Sequence, residues 1–137
     1  MHLSVIETLS EGQIDRLVAL YDAEWWTRGR SRADVAAMLA GSDLTLGIVT
    51  DAGELVGFVR ALTDGVFKAM IFDVIVAPSH RGLGAGDLLM RHLIDHPRLA
   101  AVRHKELYCL PEMVPFYARH GFSEDLGGIA MMRQADR

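Results

Sequence analysis

The stretch Val74-Ile75-Val76-Ala77-Pro78-Ser79-His80-Arg81-Gly82-Leu83-Gly84-Ala85-Gly86, continuing into Asp87-Leu88-Leu89-Met90, decides how this chain is read. A β-branched apolar run ends at a proline, crosses a short polar loop and meets three alternating glycines that open a helix. Glycine removes side chains where backbone N–H groups must approach a ligand closely, and the positive end of a helix dipole lies behind them. Such a loop is an anion cradle, suited to a phosphate group.

Outward from this loop, the pattern alternates between helix and strand periods. Leu3, Val5 and Leu9 mark a short first strand. Ser10 with Gln13 has capping-box spacing, and Ile14, Leu17, Val18 and Tyr21 recur at helical intervals. A second helix starts at Ser31, carries Val35, Met38 and Leu39 on one face, and stops at Gly41. Residues 44–49, 55–62 and 69–76 read as three strands joined by turns at Asp51-Ala52-Gly53-Glu54 and Thr63-Asp64-Gly65. Ala85, Leu88, Leu89 and Leu93 then form a helix face that ends before Pro97. Residues 105–110 predict a strand, 113–120 a short helix stopped by Gly121, and 129–132 a final strand. The order predicts a single mixed α/β domain over residues 1–137, with helices packed around one sheet.

Composition bounds the function classes. At 137 residues, half of them hydrophobic, the chain can bury a core, and its net charge of −4 disfavours general nucleic-acid binding. No apolar run approaches the roughly 20 residues that span a bilayer. The first residues lack the basic and apolar regions of a signal peptide. A soluble, cytoplasmic protein without membrane or nucleic-acid partners is therefore expected. The single Cys109 reads as an inert buried thiol. His92 and His96 share a helix face, but no glutamate motif or third ligand accompanies them, so no metal is expected.

Several readings compete for the glycine loop. A P-loop needs Lys-Ser/Thr after its last glycine, and Asp87-Leu88 stands there instead. A dinucleotide fingerprint needs G-x-G-x-x-G directly after its strand, whereas five residues intervene here and the spacing is G-x-G-x-G. Its acid would be Glu106, 20 residues after Gly86, but that residue opens the next strand rather than closing it. A plain tight turn before a helix is the bland alternative.

Arg81-x-x-Gly84-x-Gly86 after Val76-Ala77-Pro78 resembles the acetyl-CoA signature of the GNAT N-acetyltransferases. Phe116-Tyr117-Ala118-Arg119-His120-Gly121-Phe122 resembles the family's F-Y-x-x-x-G-F segment, and Leu55-Val56-Gly57-Phe58-Val59-Arg60 its L-V-G-F-x-R strand. The resemblance covers essentially the whole chain and implies the GNAT fold, with about six or seven strands and four helices. It implies an N-acetyltransferase that moves acetyl from acetyl-CoA to a primary amine, of a small molecule, by direct attack in a ternary complex. A module of the same fold that binds acyl-CoA without catalysis is the alternative.

On that resemblance, Arg81, Gly82, Leu83, Gly84, Ala85 and Gly86 hold the pyrophosphate of acetyl-CoA, and the backbone of Val74, Ile75 and Val76 pairs with the pantetheine arm. An N–H near Val74 polarises the thioester carbonyl. Tyr117 matches the family's general acid, a phenol of ordinary pKa near 10 facing a thiolate near 8.5. Asp73 is the only ionisable residue in its strand. It reads equally as a functional group, taking the amine's proton through water or attracting a cationic amine, or as a structural one that bonds a neighbouring loop or pairs with an arginine. Glu112 is a second candidate acceptor. Trp25, Trp26 and Arg28, with Arg30, lie where the family builds one wall of its acceptor cleft, although a tryptophan there serves a core equally well. Homodimerisation suits the fold, but no segment specifies it.

Overall fold

The computed structural model describes residues 2–136. Its element order is β1 (Leu3–Ile6), α1 (Glu11–Asp22), α2 (Arg32–Gly41), β2 (Leu44–Thr50), β3 (Leu55–Thr63), β4 (Lys68–Val76), α3 (Ala85–Asp95), β5 (His104–Glu106) and α4 (Val114–Ala118). The strands form one five-stranded sheet in the order β1-β2-β3-β4-β5, antiparallel except where β5 runs parallel to β4. Two compact units emerge, Met1–Leu107 with the whole sheet and Tyr108–Arg137 with α4.

Local chemistry sets the element ends. Ser10 Oγ accepts from Gln13 N at 3.2 Å while Ser10 N donates to Gln13 Oε1 at 2.8 Å, closing the capping box that starts α1. Ser31 caps α2 by accepting from Asp34 N. The β3–β4 turn is tied by Asp64, whose Oδ1 accepts from the N–H groups of Val66, Phe67 and Lys68. Those backbone donors hold its carboxyl below the usual range.

Both faces of the sheet are covered. A Cβ built on Gly57 would lie 3.4 Å from Leu89 Cδ1 of α3, whereas the neighbouring Phe58 ring meets Tyr21 of α1 edge-on at 6.4 Å. Successive strand residues face opposite sides, so α1 and α3 sandwich β3. Leu55, Val56, Phe58 and Val59 are all buried for that reason. On α3 the buried residues are Ala85, Leu89, Met90 and Leu93, with Leu88 only half-buried, so the apolar face turns slightly toward Met90 relative to the sequence expectation.

The strand count is lower than expected. β5 pairs with β4 only through Lys68↔His104, Ala69↔Lys105 and Met70↔Glu106, far short of residues 105–110. Residues 129–132 form no strand, and Ile129 and Met132 stand 71% and 91% exposed. An apolar alternation specifies a strand only when a neighbour pairs with it, and this segment pairs with none of the described strands.

Gly47 sits where β1, β2 and β3 crowd together: a Cβ there would lie 2.8 Å from Leu55 Cδ1 and 3.3 Å from Ile6 Cγ1. Because Leu55 is fully buried, it has little room to yield. Gly47→Val should therefore cost about 1–3 kcal/mol by overpacking. Urea unfolding measures this, and an unchanged midpoint would show that the sheet accommodates the side chain.

Candidate active site

The glycine loop has the conformation of a cradle. After a 3-10 turn at Pro78–His80, Gly82 and Gly84 adopt φ of 77° and 82°, and Gly84 caps α3 from the left-handed region. Side chains are strained there, and a Cβ at either glycine would meet nothing within 4 Å. Packing therefore does not demand glycine; the backbone conformation does, and it leaves open space over the loop. The hydrogen bonds around it are carried by His80 N, Arg81 N and Leu88 N, and no described residue accepts from the N–H groups of residues 82–86. Unspent donors at the positive end of a helix dipole fit the diphosphate of acetyl-CoA. Leu83 is exposed at the tip and Gly86 lies in the first turn of α3.

Arg81 is engaged at both ends. Its Nε donates to Val76 O at 3.1 Å, and its Nη2 pairs with the Glu24 carboxylate. The cradle is thereby tied to the segment connecting α1 and α2.

The preceding strand carries the second feature. Phe58 pairs with Ile75, but Arg60 pairs with Phe72, so Val59 of β3 lies opposite both Asp73 and Val74. This two-against-one register is a β-bulge. Asp73 sits in it at φ 60°, the only non-glycine residue at positive φ among those described. Holding a side chain there costs on the order of 1–3 kcal/mol. Beyond Met70, the edge of β4 away from β3 has no paired strand among the described residues, so the main chain of Val74, Ile75 and Val76 borders an open edge.

Asp73 itself is neutralised. Its side chain is 6% exposed; Oδ2 accepts from Arg30 Nη1 at 2.7 Å, Arg60 Nε at 2.8 Å and Tyr21 OH at 3.1 Å, and Oδ1 accepts from Arg30 Nη2 at 3.3 Å. Burial pushes the carboxyl up, but the hydrogen bonds and charges of Arg30 and Arg60 more than offset it, leaving it below the ordinary 3.8. A carboxylate held this way is a poor proton acceptor at neutral pH. Of the two readings open for Asp73, the structure supplies the partners of the structural one.

Trp25 and Trp26 lie on the α1–α2 connector, 67% and 38% exposed, so neither fills the core. The buried member of that segment is Thr27, whose hydroxyl donates to Tyr21 O at 2.7 Å. Arg28 is exposed and folds back, Nε donating to Asp22 O at 3.2 Å, while Arg30 is committed to Asp73.

In the second unit, Glu112 is exposed in a 3-10 turn at Pro111–Met113 that leads into α4. Tyr117 is buried between the rings of Phe116 and Phe122, at centroid distances of 5.0 and 6.2 Å. Burial pushes its phenol up to about 12, and Cys109 adds to the shift. Cys109 is half-buried, and its thiol is also pushed up, by burial and by Glu124 and Glu112. The phenol keeps its proton throughout the physiological range, but it is a weaker match to a thiolate near 8.5 than an unperturbed tyrosine.

Tyr21 and Arg60 are the site residues that sequence reasoning passes over. A signal for both exists: a tyrosine on a buried helix face needs a partner for its hydroxyl, and a lone arginine in one apolar strand beside a lone aspartate in the next predicts a cross-strand pair.

Comparisons with known proteins agree with this architecture. The family model described as Acetyltransferase (GNAT) family matches residues 12–122. Ycf52 of Pyropia yezoensis, an uncharacterized N-acetyltransferase, is 34% identical over 119 residues covering 85% of this chain and 68% of that protein. Serotonin N-acetyltransferase 2, a chloroplastic protein of Oryza sativa, is 42% identical over 83 residues, covering 61% of this chain and 42% of its own length. A crystal structure from Xanthomonas campestris assigned to the GNAT family superposes with a TM-score of 0.85 at 30% identity, covering 99% of this chain and 94% of its own. The family match runs unbroken through the bulged strand, the glycine cradle and the segment around Tyr117, and the chain belongs to the GNAT acetyltransferase family.

Proposed function

We propose that the chain is an acetyl-CoA-dependent N-acetyltransferase acting on a primary amine of a small molecule by direct attack in a ternary complex. The observation that carries this reading is the cradle of unspent N–H groups at the start of α3, next to the open edge of β4. Residues 82–86 and the α3 dipole hold the diphosphate, and Arg81 adds charge once it exchanges Glu24 for phosphate. The open edge at Val74, Ile75 and Val76 pairs with the amides of the pantetheine arm as an added strand would. When bound, acetyl-CoA supplies the activated acyl group.

The chain's own residues then have defined tasks. The Val74 N–H donates to the thioester oxygen as negative charge develops there. The amine nitrogen forms its bond to the acyl carbon as the carbon–sulfur bond breaks, and the sulfur receives the Tyr117 proton. The amine's surplus proton leaves to water, which also reprotonates Tyr117. Trp25 and Trp26 offer exposed π faces for the acceptor, and the relative named as a serotonin N-acetyltransferase supports an aromatic amine as the class to assay first.

A thermal-shift titration with acetyl-CoA should raise the melting temperature of the wild type and leave Gly84→Glu unmoved, since that variant sets bulk and negative charge against the phosphates. A wild type that shows no shift at millimolar acetyl-CoA would rule the reading out. Tyr117→Phe should lower kcat at least about a hundredfold while the affinity for acetyl-CoA stays within a few-fold. Because the phenol titrates only near 12, wild-type kcat should show no fall from its ionisation between neutrality and about pH 10. An unchanged kcat in Tyr117→Phe would remove this residue as the acid.

A further inference from the structure

The left-handed residue in β4 and the four hydrogen bonds on its carboxylate belong together. The peptide plane between Asp73 and Val74 carries the Val74 N–H, so the conformation of Asp73 sets the direction of that donor. A non-glycine residue stays at φ 60° in a strand only when its surroundings over-determine it. Here the constraint comes from three places at once: Tyr21 from α1, Arg30 from the connector and Arg60 from β3. Each donor is itself seated, since the Arg30 guanidinium lies 4.7 Å from the Tyr21 ring centroid, that of Arg60 lies 4.6 Å from the Phe72 centroid, and Tyr21 packs edge-on to Phe58.

The same contacts argue against the alternatives. A base must give up its present partners to take a proton, and here Oδ2 accepts from three donors and Oδ1 from a fourth, supplied by two arginines and a tyrosine. An anchor for an ammonium acceptor needs surplus negative charge, whereas two arginines against one aspartate leave the cluster net positive.

We propose that Asp73 is a positioning residue: clamped by Arg30, Arg60 and Tyr21, it holds the β4 bulge left-handed and so fixes the direction of the Val74 N–H at the open strand edge. The proposal rests on the acetyl-transfer reading for its kinetic consequence but not for its structural one.

Two substitutions separate the possibilities. Asparagine keeps one acceptor oxygen and tolerates the left-handed region; glycine tolerates it too but removes the clamp. Asp73→Asn should therefore keep kcat within about tenfold of the wild type, with an unaltered pH profile. Asp73→Gly should lose about a hundredfold or more, the scale of a lost oxyanion donor, while acetyl-CoA affinity stays within a few-fold. Asp73→Asn as inactive as Asp73→Gly, with the acidic limb of the pH profile gone, would make Asp73 the base and overturn the proposal. Unchanged kcat in Asp73→Gly would overturn it as well, leaving a merely structural residue.

A readout independent of acetyl-CoA is the backbone amide of Val74 by NMR, in the protein without ligand. It should be a single sharp resonance in the wild type and in Asp73→Asn, and broadened or split in Asp73→Gly. If the wild type fails to bind acetyl-CoA but the Val74 amide responds this way, the functional reading fails and the clamp stands. If the amide is indifferent to all substitutions, the clamp fails whatever the activity. Should Asp73→Gly not fold, Arg60→Met removes one donor and should broaden the same resonance in the same way; an unmoved resonance there counts against the clamp.

Discussion

A carboxylate buried in the middle of a strand must be neutralised, and in this protein the partners that neutralise Asp73 come from three separate elements. Arg60 reaches it from the adjacent strand, Arg30 from the connector between the first two helices, and Tyr21 from the first helix. The strand bulges at this residue, with Asp73 left-handed and β4 offset against β3 by one residue. Replacing either arginine with an apolar residue would leave a buried charge short of a partner, a change that typically destabilises far more than an exposed pair would. The cluster therefore fixes the first two helices to the sheet at the point where the edge of β4 opens.

The cradle depends on a different economy of backbone groups. Gly82 and Gly84 supply positive φ with no demand from packing, and the N–H groups of residues 82–86 have no acceptor among the described residues. In water such donors are satisfied by solvent, and an anion that replaces several waters at a helix N-terminus gains from both geometry and dipole. The ion pair between Arg81 and Glu24 keeps the arginine beside the loop in the absence of that anion. Partly exposed pairs of this type contribute only about 0.2–1 kcal/mol, too little to lock Arg81 onto Glu24.

Much of this was legible in the residues themselves. The capping residues Ser10 and Ser31, the three strands of the meander and the helix after the glycines all stand close to where periodicity and turn chemistry put them. The cradle is legible for a physical reason: positive φ at alternating positions can be met cheaply only by glycine. The last strand was not legible, because residues 129–132 have the right apolar pattern and no partner, and pairing is not written in a single segment. The short β5 fails similarly, since its ladder ends at Glu106 before β4 reaches its bulge. Trp25 and Trp26 show that a large apolar side chain does not by itself mark a core; Thr27 takes the buried place because its hydroxyl satisfies a helix carbonyl. The Asp73 cluster lies in between: a lone aspartate stands out in an apolar strand, but its partners are set by strand pairing and by the path of the connector.

The most direct test of the account is a crystal structure of the chain with coenzyme A. The diphosphate is expected within hydrogen-bond distance of the N–H groups of residues 82–86, with the pantetheine amides paired to the main chain of Val74, Ile75 and Val76. Coenzyme A ordered elsewhere on the chain, with the cradle and the β4 edge both untouched, would contradict it.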